Sequence, residues 1–349
     1  MGRWALVCSV AMLAEAQMAE FIAEKMPTRS CHASTVVELS NGDVLAAWFG
    51  GSREGASDVG IWMARRGAGG WSAPREAARE PGVATWNPVL FHAADGVLWL
   101  YYKFGKSPET WSAARKFSRD EGATWSETEH LPAGIYGPIR AKPLVLRDGT
   151  ILSGTSVESY GSWAAWIERS IDNGHTWSRI GPIAAPLSIA ARTPRPGEEY
   201  GIIQPSLVDL GGGHIRLYAR ATTHIGRICE SDSVDGGRTW GAVRATALPN
   251  PNSGIDAVRL GDGRLVMIYN DSFSSRTPLV LAMSVDGVEW KKFHELETGP
   301  GEFSYPALVQ ASNGDLLITY TWKREKIRFV CVGERELRTV STTLSASAR

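Results

Sequence analysis

Residues Ser30–Gly51 read SCHASTVVELSNGDVLAAWFGG. Two runs rich in apolar and β-branched residues, VVEL and VLAAW, flank Asn41-Gly42, a pair suited to a tight turn because glycine takes positive φ without a Cβ clash. The stretch predicts a β-hairpin, and it acquires meaning for the whole fold when copies are sought along the chain. Five more occur: VLFHAADGVLWLYYK, PLVLRDGTILSGTS, SLVDLGGGHIRLYAR, AVRLGDGRLVMIYN and ALVQASNGDLLITYTW. Their turn glycines, Gly42, Gly96, Gly149, Gly213, Gly263 and Gly314, follow one another at intervals of about 50 to 64 residues.

A second repeat runs out of phase with the first. SRDEGATW starts at Ser118, SIDNGHTW at Ser170, SVDGGRTW at Ser233, and a shortened SVDGVEW at Ser284. In S-x-D-x-G-x-T-W the Ser and Asp side chains are placed to accept from nearby backbone N–H groups, Gly takes the left-handed conformation, and Trp buries a large ring. Together the repeats imply four strands per period and an all-β, six-bladed propeller of four-stranded antiparallel blades. A solenoid fits less well, because neither end looks like a polar cap.

Composition narrows the partner. Lys+Arg and Asp+Glu both total 37 in 349 residues, so there is no basic excess to attract nucleic acid or an anionic membrane. The four cysteines and seven histidines show neither CxxC nor HExxH spacing, so no metal site and no cofactor are expected. At the start, MGR, then WALVCSVAML, then Ala14-Glu15-Ala16 resembles a secretory signal over residues 1–16, leaving one domain over 17–349 and a secreted or periplasmic protein. The alternative is a first strand or helix of a cytoplasmic domain. No other stretch is long and apolar enough to cross a membrane.

In an antiparallel hairpin, the start of the first strand and the end of the second lie at one edge. Counting about nine residues back from each turn glycine gives His32, Asn87, Arg140 with Lys142 nearby, Gln204, the stretch from Gly254 to Asp256, and Tyr305. Counting seven forward gives Phe49, Lys103, Ser156, Arg220, Asn270 and Thr321. A polar ring thus frames the apolar repeat, as expected of a ligand-binding mouth.

The S-x-D-x-G-x-T-W element is the Asp box, and over roughly residues 28 to 332 the chain resembles the sialidase (neuraminidase) superfamily of six-bladed propellers. The resemblance implies that the boxes are scaffold, remote from the active site. It implies that WFGGSREGASDVGIW supplies an Arg, Arg53, and the catalytic acid, Asp58. It further implies that Arg220 in RLYAR and Arg276 in SRTPLVLAMSVDG bind a substrate carboxylate, and that Tyr305 in EFSYPALV is the nucleophile. Two positions depart from the pattern. His32 stands where the family has its first carboxylate-binding Arg, and Gln204 where it has the Glu that helps ionise the Tyr.

Tyrosine suits an anionic substrate, because a neutral phenol approaches where a carboxylate nucleophile is repelled. Its reference pKa of about 10 requires nearby groups to favour the phenolate. Arg220 and Arg276 are placed to do this, whereas Gln204 cannot take a proton; Glu302 can, although three residues from Tyr305 on a regular strand it faces away. The expected function is a sialidase-like exo-glycosidase that releases a terminal acidic sugar, with Asp58, Tyr305 and His32 in the chemistry. Arg53, Asn87, Lys103, Arg140, Lys142, Gln204, Arg220, Asp256, Asn270, Arg276 and Glu302 would bind the substrate, a carbohydrate. The alternatives are a lyase acting on uronic-acid glycans, with His32 or Tyr305 removing the proton α to a carboxylate, and a non-catalytic glycan-binding propeller.

Overall fold

The structure, a computed structural model, describes residues 18–339; the leader-like segment 1–16 lies outside the described residues. All six sequence hairpins form. Ser30–Glu38 pairs antiparallel with Val44–Gly51, Thr85–His92 with Leu98–Phe104, and Leu144–Val145 with Ile151–Ser159. Tyr200–Gly211 pairs with His214–Ala221, Asp256–Arg259 with Leu265–Asn270, and Phe303–Gln310 with Leu316–Trp322. The six turn glycines all have φ between 80° and 94°. Five of the turns share one hydrogen-bond pattern, as where Gly42 N donates to the Leu39 carbonyl (2.9 Å) and Leu39 N to that of Asp43 (2.8 Å).

The hydrogen bonding sorts the described strands into five sheets rather than six, because the third and fourth hairpins share one sheet of eight strands. Its two halves meet where Ser162 and Trp163 pair in parallel with Tyr200 and Gly201. The cause is the length of Tyr200–Gly211, twelve residues, which carries its start past the neighbouring sheet. Contact there requires Gly201, whose Cβ position lies 2.0 Å from the Trp163 carbonyl oxygen. The first hairpin's sheet gains a fifth strand, so four strands per unit is not general. At the far end, Met18–Phe21 pairs with Lys326–Val332, so the first described strand completes the sheet of the last hairpin.

Apolar side chains collect in six clusters, one between each pair of successive hairpin units. Leu45 and Leu90 share the first of these, and Trp48 and Phe329 share the one that joins the last unit to the first. The Asp boxes clamp the same seams. Trp125, Trp177, Trp240 and Trp290 each pack into the cluster shared with the preceding unit. In the complete boxes the Ser accepts from the Gly N–H, as in Gly174 N to Ser170 Oγ (2.9 Å). The Asp accepts from the Thr N–H and hydroxyl, as in Thr176 to Asp172 (2.9 and 2.6 Å). The box glycine is needed twice over: Gly237 has φ of 83°, and its Cβ position is 2.6 Å from Leu152 of the preceding unit. No helix among the described residues is long and apolar enough to cross a membrane.

Candidate active site

Four of the innermost strands break their pairing at equivalent points, between His32 and Thr35, Trp86 and Val89, Ile203 and Ser206, and Ser304 and Ala307. At each break one residue is left-handed: Ala33 (φ 52°), Asn87 (39°), Gln204 (55°) and Tyr305 (51°). A proline follows in three cases and Ser34 in the first. Non-glycine residues held at positive φ cost of order 1 kcal/mol or more each, and a bulge re-aims its side chain. Four such bulges turn side chains toward one place. The residue equivalent to Asn87, Gln204 and Tyr305 is therefore Ala33, and His32 stands one position earlier, opposite Phe49, as Trp86 stands opposite Lys103. Counting back from the turn misplaced His32 by one residue.

Tyr305 is the centre of what assembles. Arg220 Nη1 donates to its hydroxyl oxygen at 2.6 Å, and Gln204 Nε2 lies 3.5 Å from the same oxygen. The guanidinium carbons of Arg140, Arg220 and Arg276 stand 5.4, 5.7 and 5.6 Å from the ring centroid, and the His32 ring is 4.2 Å away. His32 is buried, with Nδ1 2.9 Å from Thr321 Oγ1 and Nε2 without a partner. Burial first, and then the charges of Arg324, Arg276, Arg140 and Arg220, hold its imidazole well below the usual range and so neutral. Arg140 is also buried; its Nη2 donates to the Pro306 carbonyl at 2.5 Å while Nε and Nη1 have no partner, and burial lowers it to about 10.

Residues that the sequence reading missed hold these arginines in place. Asn252, itself left-handed at φ 60°, accepts from Arg220 Nε (2.6 Å) and, through its carbonyl, from Arg276 Nη2 (3.3 Å). Arg324 comes from a tight turn in which Lys323 and Arg324 have φ of 54° and 58°. Its carbonyl accepts from Cys31 N (2.9 Å), which fixes the turn beside His32. Its side chain binds Glu302 (3.1 Å to each oxygen) and Glu54. Glu302 also takes Arg276 Nη1 and Ser304 Oγ, each at 2.8 Å. Burial opposes the charged form of Glu302, but the bonds and charges of Arg324 and Arg276 outweigh it and keep the carboxyl below its ordinary value. Glu302 thus works as an anchor for arginines, a poor base toward Tyr305. A glycine-free turn with Lys and Arg at positive φ carries no sequence signature, but Asn252 in PNPNSG was a readable one.

The rest of the polar ring divides. Asn87 is buried as a residue yet forms no side-chain hydrogen bond, so its amide is free to meet a ligand. Asp256 is consumed by the fold: it accepts from Ser206 Oγ (2.7 Å), Leu308 N (2.9 Å) and Lys142 Nζ (3.0 Å), tying three inner strands together. Asn270 likewise binds Ser253 Oγ and the Phe303 carbonyl (2.7 and 2.9 Å). Lys103 is fully buried on the Pro138 carbonyl (2.7 Å), and burial lowers its ammonium to about 7. These four, Lys142 included, serve as staples of the interior rather than as open ligand contacts.

Arg53 and Asp58 sit on the exposed loop after Gly51, and among the described residues neither bonds to the Tyr305 cluster. That loop is fastened at the mouth by the Glu54–Arg324 pair and by Gly55, whose Cβ position is 3.4 Å from Trp86. Arg53 has no ion-pair partner. Asp58 accepts from Ser52 Oγ (2.9 Å) and N (3.0 Å), and the Ser52 hydroxyl bond above all holds its carboxyl below the ordinary value. A second carboxyl lies nearer the arginines. Glu158, two residues beyond Ser156 on the same face of Ile151–Ser159, makes no hydrogen bond; burial raises it to about 7 against the pull of Arg220.

A charge-assisted donor on a phenol oxygen, inside a cage of guanidinium groups, is an arrangement able to hold a carboxylate and to stabilise negative charge on the phenol. The comparisons with known proteins bear on which fold supports it. The model of the BNR repeat-like domain matches residues 42–318. The NanB sialidase of Streptococcus pneumoniae aligns at 14% identity and a TM-score of 0.70, over 88% of this chain and 69% of that one. Trypanosoma rangeli sialidase aligns at 13% identity and 0.71, over 95% and 62%. A protein of unknown function from Dyadobacter fermentans aligns at 17% identity and 0.72, over 90% and 98%. No curated protein matches the sequence. At such identities the likeness shows the fold, which is β-propeller-like. With its repeats matched over most of its length, the chain belongs to the BNR repeat-like domain family.

Proposed function

We propose that the chain is a six-bladed propeller, the eight-stranded sheet counting as two blades, and that it acts as an exo-glycosidase releasing a terminal acidic sugar, sialic acid or a related ulosonic acid. The observation that carries this reading is the 2.6 Å contact of Arg220 with the Tyr305 hydroxyl among three guanidinium groups. Arg220, Arg276 and Arg324 would hold the carboxylate, Arg324 supplying the positive charge that neutral His32 lacks. Tyr305, its proton passed to solvent and its phenolate stabilised by Arg220, would attack the anomeric carbon as the bond to the leaving oxygen breaks; a carboxylic acid of the mouth would give that oxygen its proton, and water would then displace Tyr305 and release the sugar.

Asp58 is the family's choice for this acid, and its Ser52 bonds must be displaced by substrate before it can serve. The test is release of the fluorophore from a fluorogenic sialoside. Tyr305→Phe should abolish turnover while substrate still binds, and undiminished activity in that variant would remove Tyr305 from the mechanism. Saturable binding with no product from the unaltered protein would leave the non-catalytic reading standing.

A second reading has its own support. Among the described residues His32 Nε2 lacks a partner; the imidazole is neutral and lies tilted against the Tyr305 ring, while Asp58 is held below its ordinary value and so ionised at rest. In a lyase a neutral base removes the proton α to a uronate carboxylate and the glycosidic oxygen leaves, protonated by a second group, with formation of a C=C bond; His32 would be the neutral base, at the low basicity its burial imposes, and Tyr305 would give the proton. Ultraviolet absorbance growing during digestion of uronate polymers would favour it.

A further inference from the structure

A cavity of about 340 Å³ opens at the turn end of the third, fourth and fifth hairpins, on the side of the Asp boxes. Four arginines line it: Arg147 from the third hairpin turn, Arg169 from Ser162–Ser170, Arg238 from the third box and Arg259 from the end of Asp256–Arg259. Among the described residues none of the four forms an ion pair, although Arg238 Nη1 donates to the Asp235 carbonyl (2.6 Å), whereas Arg216, Arg244 and Arg264 each bind a carboxylate. Arg169 keeps a buried Nε with no partner, and its Nη2 reaches only Thr150 Oγ1, at 3.5 Å. The two acids on the wall, Asp148 and Asp209, are turn caps, accepting from Thr150 N (3.0 Å) and Gly211 N (2.8 Å).

Converging guanidinium groups repel one another, and an oxyanion between them removes that repulsion while accepting forked hydrogen bonds. The volume falls within the range of small-molecule sites. We propose that this cavity is a second binding site, for a phosphate or sulfate-ester group, independent of the mouth. Ile215 on the cavity wall and Arg220 at the mouth are five residues apart on one strand, about 17 Å. A ligand here therefore leaves Tyr305 open.

The experiment is titration calorimetry at low ionic strength with sodium phosphate, sodium sulfate and a sulfated disaccharide. Saturable binding is expected, weakened about 10- to 100-fold in Arg169→Gln/Arg259→Gln, the loss that follows from removing one or two charge-assisted bonds. Tyr305→Phe should bind the same probe as the unaltered protein does, and the double variant should retain the mouth's turnover if the unaltered protein has any. Tighter binding of the disaccharide than of free sulfate would identify a sulfated glycan, and equal binding a free anion. Absence of saturable binding for all three probes, or equal affinity in the double variant, would overturn the proposal. If the double variant fails to fold, Arg259→Gln alone, at an exposed side chain, decides between the same outcomes.

Discussion

On the Asp-box side, Asp120, Asp172 and Asp235 each collect the Thr hydroxyl, the Thr N–H and the box Ser hydroxyl. At the mouth, by contrast, His32 Nε2 and two nitrogens of Arg140 are buried without partners, and four inner strands carry left-handed residues that are not glycine. The same repeat builds both ends. One end satisfies its box carboxylates locally and repeats the same capped turn wherever a box occurs, with left-handed Glu121 and Asn173 inside that turn and, among the described residues, Arg169 Nε and the Trp125, Trp177 and Trp290 indole N–H groups unpartnered; the other has six different residues at equivalent places and holds its left-handed residues within the inner strands. Strain and unsatisfied groups persist only where the surrounding structure over-determines them, and they gather at functional sites. The boxes supply part of that surrounding structure by clamping the second, third, fourth and fifth units to their predecessors.

The contrast breaks if a mouth substitution harms stability more than turnover. Tyr305→Phe should cut turnover by about 10³-fold or more, the scale seen when a nucleophile is removed, with the thermal midpoint nearly unchanged. Arg220→Lys should cost about 10- to 100-fold, because a point charge replaces a fork that binds Tyr305 and Asn252 together. A fold-wide loss of stability in either variant would show that the mouth is part of the scaffold. Asp172→Ala should do the reverse, lowering stability by about 1 kcal/mol, as loss of a capping side chain does, with kcat unchanged; denaturant melts and initial rates check both halves.

Acid sharpens the same comparison. The Thr124 hydroxyl bond above all lowers Asp120 to about 2, and in Asp172 the Thr176 bonds outweigh burial to give about 2. Both carboxyls are depressed relative to the unfolded chain, so their stabilisation is fully present above about pH 4 and is lost as pH falls toward 2. Asp172→Ala should flatten that part of the stability profile. Glu158 has the opposite sign: burial raises it to about 7, so the folded state binds the extra proton and stability falls as pH rises from about 4.5 to 7. Glu158→Gln should abolish that decline, and a pH–rate profile that also loses a limb near 7 would make Glu158 the proton donor in place of Asp58.

Much of the scaffold was legible in the sequence, because glycine turns and the S-x-D-x-G-x-T-W capping pattern are local devices whose geometry follows from a few adjacent residues. Tyr305, Arg220 and Arg276 were legible too, through the resemblance of their flanking strands. What escaped was set by non-local geometry. The bulges at Ala33, Asn87, Gln204 and Tyr305 shift the alternation of side chains and made Glu302 appear to face away, while His32, ten residues before Gly42 where the other units count nine, was one place out. Arg324 reaches the site from a turn near the far end of the chain, and only the fold brings it to His32 and Glu54. Lys103, Asp256 and Asn270 read as ligand contacts because a polar residue on a strand end looks the same whether it faces solvent or staples two strands.

The pairing of Met18–Phe21 with Lys326–Val332 means that the first of these strands finds its partner only after all six hairpin units between them have been made. Until then it is an unguarded edge, open to neighbouring nascent chains and to chaperones. Once the two ends have met, a protease nick at an exposed hairpin tip would leave the pieces held together, and new termini placed at such a tip should be tolerated.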